Sequence, residues 1–280
     1  MKRINIPTLI AITIIAWSMV NITHETLGHA GFGLLAGFQI KAVNTTTAYL
    51  NVNWENEITQ NGFNRLRLFL IGGVLMNLIT GVIAVLILRY VKSNNAQGRF
   101  FLWIFASFSY VVVVMNFVTA PLTGGGDLAE IIRTFDNQLL ARLIVLISGV
   151  FIMIFGYRAL QLSFMPVTKD LRNIRLSLTI IPLVTIIVIQ SLSILKSPFA
   201  TLPPAQNHLL VSTFAYFHIL IWSLFVYFFP FPGKNNSIEN SVPAKSLSWI
   251  IAGAIVTLFY LLILGPGIGS FDGHPMLSIE

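Results

Sequence analysis

The chain has 280 residues, of which 55% are hydrophobic and only 10% charged, and its mean hydropathy is +0.80. Soluble domains carry about 25% charged residues, so the composition excludes an ordinary soluble globule and predicts a multi-pass integral membrane protein in contact with a lipid bilayer. The net charge of +7 does not indicate a nucleic-acid partner, because Lys and Arg flank apolar segments and form no basic stripe; the absence of cysteine excludes disulfides and thiolate metal sites.

The N-terminal Met-Lys-Arg and the apolar run after it resemble a signal peptide. The run has no clear small-residue cleavage site and continues to about Phe38, which predicts a retained first helix over Ile4–Phe38. That length exceeds the ~20 residues needed to span a bilayer, so the helix must tilt, bend or break. Its second half holds Asn21-Ile-Thr-His24-Glu25-Thr-Leu-Gly28-His29-Ala30 and a cluster of glycines. Ionisable groups in such a segment are rare and usually mark a site. Gln39–Trp54 is rich in Thr, Val and Tyr and partly alternates, which predicts a short strand pair; Glu55, Glu57 and Asn61-Gly62 then read as an exposed loop.

A second apolar helix is expected over Leu66–Val91, with Gly72-Gly73-Val-Leu-Met-Asn77 inside it. Asn77 is either an interhelical hydrogen-bonding residue or one that orients a site. A third helix over Arg99–Thr119 leads into Asn116-Phe-Val-Thr-Ala-Pro121-Leu-Thr-Gly-Gly-Gly-Asp127. Pro121 interrupts regular helix, and the glycines permit an unusual path. Asp127 reads as the N-cap of a short helix over Leu128–Phe135 or as a metal ligand. Four more apolar segments follow, near Leu139–Phe164, Ile174–Leu195, Leu209–Phe229 and Leu247–Leu264. His218 within the third of these reads as a packing residue. The tail holds Asp272 and His274 in a Gly/Pro-rich run, second-choice metal ligands at most. The expected fold is therefore an all-α integral membrane protein of about seven transmembrane helices, with a small β-hairpin after the first. Seven spans place eleven Lys and Arg on the N-terminal side and six on the other, which predicts a cytoplasmic N-terminus, with the cell (plasma) membrane as the expected location.

His-Glu followed by a second His is the arrangement of a zinc hydrolase: imidazoles bind the metal and the glutamate acts as base on the water that zinc activates. The common spacing puts the histidines at i and i+4, but His24 and His29 are at i and i+5. At 100° per residue they lie about 140° apart on a regular helix and do not converge. An extra residue taken up as a π-bulge restores convergence, and such bulges favour functional sites; Gly28 is the expected place for it. A catalytic zinc site has three protein ligands and an open position. His24 and His29 leave one to find, and Asp127 is the first choice. Glu25 is then the base, and Asn77 or Asn116 stabilises an oxyanion or holds a substrate strand. The alternative takes Glu25 and His29, a true i, i+4 pair, as ligands, with His24 as base or third ligand.

In these motifs the chain resembles the site-2 protease family of intramembrane zinc metalloproteases. His24-Glu25-Thr-Leu-Gly28-His29-Ala30 resembles the family's H-E-x-G-H-A with one residue inserted. Gln39–Trp54 takes the place of its β-structure, and Gly72–Asn77 resembles its glycine-to-asparagine element. Asn116…Pro121…Asp127 resembles its Asn-Pro…Asp element, whose Asp is the third zinc ligand. The inserted residue gives a spacing similar to that of the soluble dipeptidyl peptidase III family, where both histidines still bind zinc. The resemblance covers about residues 10–130. It implies a metalloprotease-like core over 1–135, with accessory helices and a tail over 136–280. It also implies a membrane-protein or membrane-peptide substrate, unwound into a strand that pairs with the hairpin edge. The rival expectations are a zinc-dependent membrane lipid amidase or esterase, and a non-enzymatic divalent-metal transporter with the same side chains along its path.

Overall fold

A computed structural model of the chain describes residues 4–52, 54–91, 95–163, 172–196 and 243–269. The first helix, α1 (Ile6–Leu35), opens with Asn5, whose side chain accepts from the Thr8 N–H at 3.0 Å, and with Pro7 in the first turn, where a missing N–H costs nothing. A hairpin of β1 (Ile40–Val43) and β2 (Ala48–Leu50) follows, then α2 (Trp54–Asn61), α3 (Asn64–Leu88) and α4 (Ala96–Thr123). The short α5 (Asp127–Arg133), α6 (Gln138–Ser163), α7 (Arg172–Lys196), α8 (Leu247–Leu264) and β3 (Ile268–Gly269) complete the described chain.

Six helices among the described residues are long and apolar enough to cross a membrane: α1, α3, α4, α6, α7 and α8. By length and composition the chain is therefore a multi-pass membrane protein, with six such helices in place of the expected seven. The remaining expected segment, Leu209–Phe229 with His218, lies outside the described residues, as do Asp272 and His274. Large apolar side chains stand exposed along α6 and α8, among them Leu139, Ile147, Phe155, Ile255 and Leu262, as suits helix faces turned to lipid.

The first half of α1 is the central packing post. Leu9, Ile12, Ala16 and Val20 are buried against α4, α7 and α8, within a core that includes Trp103, Ile104, Phe108, Ile186 and Tyr260. The second half of α1 packs on α3, and α3 lies along α4. A smaller core of Val74, Val113, Ala120, Leu128 and Ala129 joins α3 and α4 to α5.

Two local expectations change. Residues expected as an exposed loop form α2, and Glu57 on it pairs with Arg65 at 2.8 Å. Arg65 also donates to Ala36 O at 2.6 Å and covers the Phe38 ring, so it ties the exit of α1 to the start of α3. The glycine-rich tail begins with a strand: β3 pairs antiparallel with β1, giving the sheet order β2-β1-β3. The hairpin itself has the expected antiparallel pairing, with an irregularity between Ile40 and Ala42.

Candidate metal centre

The segment that carries both histidines is π-helical. From Ile22 to Ala30 the backbone follows the wider i→i+5 pattern, and the Gly31 N–H still reaches Thr26 O five residues back. In that pattern residues five apart stand one above the other, so the rings of His24 and His29 come to 4.8 Å between centroids. The expected bulge is therefore a nine-residue stretch that includes Gly28. Backbone approach makes it possible. A Cβ on Gly28 would stand 2.5 Å from Gly73 Cα, and one on Gly72 would stand 2.6 Å from Gly28 O. Glycine at all three positions lets α1 and α3 touch main chain to main chain.

The third group arrives from α5. The regular part of α4 stops at Val114, a π turn covers Met115–Thr119, and Pro121 sits in a last turn, Ala120–Thr123. Gly124 (φ 75°) and Gly126 (φ 95°) then reverse the chain in conformations that other residues adopt only with strain. Asp127 is the first residue of α5 and Gly126 its N-cap, so the alternative reading of Asp127 as an N-cap is corrected. Its carboxylate instead faces the histidines, Oδ2 at 3.2 Å from His24 Nε2 and Oδ1 at 3.4 Å from His29 Nε2. Burial works to raise the Asp127 carboxyl, but the His29 and His24 imidazoles outweigh it and hold it well below the usual carboxylate range.

One ligand atom from each of His24, His29 and Asp127 lies within 4.8 Å of the others. The two nitrogen–oxygen separations, 3.2 and 3.4 Å, run one to each carboxylate oxygen, so Asp127 bridges the two rings. Two imidazoles and a carboxylate suit zinc and also suit other first-row divalent ions. Glu25 is outside this group among the described residues, which counts against the alternative pairing of Glu25 with His29 as ligands. Glu25 is buried, feels the charges of His24, His29 and Asp127, and has an Oε2 with no hydrogen-bond partner among the described residues.

The outer contacts fix the ring orientations. His29 Nδ1 lies 2.9 Å from Phe69 O, so its N–H donates there and Nε2 keeps its lone pair for the metal side. The Asn77 amide lies 3.1 Å from His24 Nδ1. With its oxygen turned to that nitrogen it accepts the Nδ1–H and again leaves Nε2 free; the same half-turn gives a partner to Asn77 Oδ1, otherwise buried without one. Asn116 Oδ1 accepts from the Asp127 N–H at 3.1 Å, and Arg133 donates to Gly124 O at 2.7 Å while pairing with Glu130. Asn77 and Asn116 thus hold His24 and Asp127 in place.

Two features escape a reading of the sequence alone. A Cβ on Gly73 would stand 2.5 Å from His29 Nε2 and 2.8 Å from His24 Nε2, so this glycine is the floor on which both rings rest. The Gly-Gly pair signals close packing but not what packs there. Tyr49 on β2 is held in its phenol form above its usual range by burial, with the Glu25 charge adding to the effect against a hydrogen bond with Thr47. Only the alternation of the strand hints that it turns inward. Comparison with protein-family models, with curated proteins and with solved structures finds no match.

Proposed function

We propose that the chain is an intramembrane zinc metalloprotease, hydrolysing a peptide bond in or near the membrane, and that it works in the manner its short motifs share with the site-2 protease family. The observation that carries the reading is the convergence of His24, His29 and Asp127 through a π-helical stretch on one side and a triple-glycine turn on the other. When bound, zinc supplies Lewis-acid polarisation and lowers the pKa of water to about 7. Glu25 takes the proton of the attacking water and returns it to the departing amine, so a peptide and water give a carboxyl and an amine with no net proton consumed. The Nδ1 contacts to Phe69 and Asn77 keep both imidazoles turned with Nε2 toward Asp127. With its oxygen turned to His24, Asn77 has its amide N–H groups available to an oxyanion, whereas Asn116 already donates to Val112 O at 3.2 Å; the Tyr49 phenol is a further donor near Glu25.

The substrate is a segment of a membrane protein or peptide, presented as a strand. β3 covers β1, so β2, which packs against the π-helical stretch, offers the hairpin edge nearest the site. The charge asymmetry of the loops favours a cytoplasmic N-terminus in the plasma membrane. The test is purified protein, loaded with zinc and mixed with a library of membrane-spanning peptides in lipid vesicles. Wild type cleaves and Glu25→Gln retains zinc but does not. Equal cleavage by both proteins refutes the proposal, and release of fatty acid or amine from the vesicle lipid in place of peptide cleavage replaces it with the lipid hydrolase reading.

A further inference from the structure

A second feature begins at Asn77, the residue that also contacts His24. An apolar groove of about 350 Å³ runs between α3, α4 and α6. Gly81, Val85, Ala106 and Phe155 line its length, Asn77 closes one end and Arg89 stands at the other. The twelve residues from Asn77 to Arg89 rise about 18 Å along a helix, close to half the ~30 Å hydrocarbon thickness of a bilayer. Phe155, Val82 and Leu86 on its walls are exposed, so the groove opens sideways to lipid.

Among the described residues, the charged group lining the mouth is Arg89. Arg89 is exposed at the end of α3, and its guanidinium makes no hydrogen bond or ion pair among the described residues. Arg99, on the next helix, caps the end of α3 through Leu88 O and Val91 O at 3.2 and 2.7 Å. Arg158 lies near the end of α6, one residue before the groove-lining Ala159. No Asp or Glu occurs between Glu57 and Asp127, nor between Asp136 and Asp170, so neither the connection between α3 and α4 nor the body of α6 supplies an acid to neutralise Arg89.

We propose that this groove binds one acyl chain of an anionic phospholipid, with the phosphate at Arg89 and the chain directed toward Asn77. The two ends fit that occupant. An exposed cation with no counter-charge among the described residues pairs with a phosphate, and an apolar trench about one leaflet long takes a chain. The headgroup ester bonds then lie at the mouth, the full groove length from Asn77, so the bound lipid is a resident ligand and not a substrate of the His24–His29–Asp127 centre. Its chain end abuts the residue that orients His24, which makes the metal centre sensitive to what fills the groove.

Native mass spectrometry of the full-length protein in detergent tests this, with phosphatidylglycerol or phosphatidylcholine as the added lipid. Wild type retains one phosphatidylglycerol in preference to phosphatidylcholine. Arg89→Gln weakens phosphatidylglycerol about five-fold, the equivalent of about 1 kcal/mol for one cation near a lipid surface, and leaves phosphatidylcholine unchanged; Arg89→Lys keeps the preference. Val82→Trp, which fills the groove from its exposed wall, lowers occupancy by both lipids, whereas Leu143→Trp on the exposed face of α6 outside the groove does not. Thermal unfolding in the same detergent verifies that each variant is folded. Equal binding of the two lipids by wild type, or no change in Arg89→Gln and Val82→Trp, overturns the proposal. So does binding of a transmembrane peptide, blocked by Val82→Trp, where neither lipid binds.

Discussion

Replacing Gly73 by alanine adds one methyl group to the floor of the metal centre. That carbon stands 2.5 Å from His29 Nε2, 2.7 Å from His24 Cε1 and 2.8 Å from His24 Nε2, where ordinary contact begins at 3.4 Å. The His29 ring must therefore retreat by about 0.9 Å, the difference between 3.4 and 2.5 Å, and the His24 ring by somewhat less. Metal–ligand distances tolerate about 0.2 Å. Loss of one supporting contact to a ligand weakens metal binding about 10–100-fold, and here both imidazoles move at once, so the expected loss is at least about 100-fold. The intrinsic helix effect has the opposite sign, because alanine inside a helix is favoured over glycine by about 1 kcal/mol. The assay is competition for zinc against a chromophoric chelator, with thermal unfolding of the metal-free protein in parallel. Gly73→Ala is expected to lose zinc while remaining folded. Wild-type zinc affinity in this variant would refute the placement of the two Nε2 atoms over Gly73.

Further outcomes follow from the same geometry. Asn77→Leu removes the partner of His24 Nδ1 and is expected to weaken zinc about 10–100-fold, read by the same competition. Gly28→Ala drives a Cβ to 2.5 Å from Gly73 Cα, a main-chain clash with no side chain to give way, and is expected to destabilise the protein by about 1–3 kcal/mol in thermal unfolding. Zinc affinity is expected to fall as pH is lowered, because a metal-binding imidazole must be unprotonated. Asp127 does not set that loss: its carboxyl is held low by the imidazoles, so its contribution is complete above the unfolded value of ~3.9 and is lost only as pH falls through the lower folded value. Titration of zinc release against pH checks the order of these events.

Much of the metal centre is legible in the sequence because its chemistry is out of place in its surroundings. Two histidines and a glutamate inside an apolar segment need a reason to be there, and a five-residue spacing converges only on a helix wider than α. Asp127 stands out as the first acid after Glu57, and the Pro and Gly before it mark where the chain departs from helix. Three things are not legible, each for a physical reason. The contacts of Gly28, Gly72 and Gly73 depend on how two helices cross, and glycine has no side chain to report it. The grip of Asn116 on the Asp127 N–H spans eleven residues and exists only because a π turn rotates Asn116 inward. The pairing of β3 with β1 involves main-chain atoms of Ile268 and Gly269, which leave no side-chain pattern to read. The segment of α2 misleads for a different reason: Glu55, Asn56, Glu57 and Gln60 are as polar as a loop, and the helix is only eight residues long.

Zinc-edge X-ray absorption of the purified protein reads out whether His24, His29 and Asp127 together hold one zinc ion. The expected result is about one zinc per chain, with nitrogen and oxygen ligands at about 2.0–2.1 Å, an imidazole signature from two histidines, and loss of the bound metal in Asp127→Ala. Zinc absent from the purified chain after loading, or bound with the same spectrum in Asp127→Ala and in His24→Ala, contradicts it.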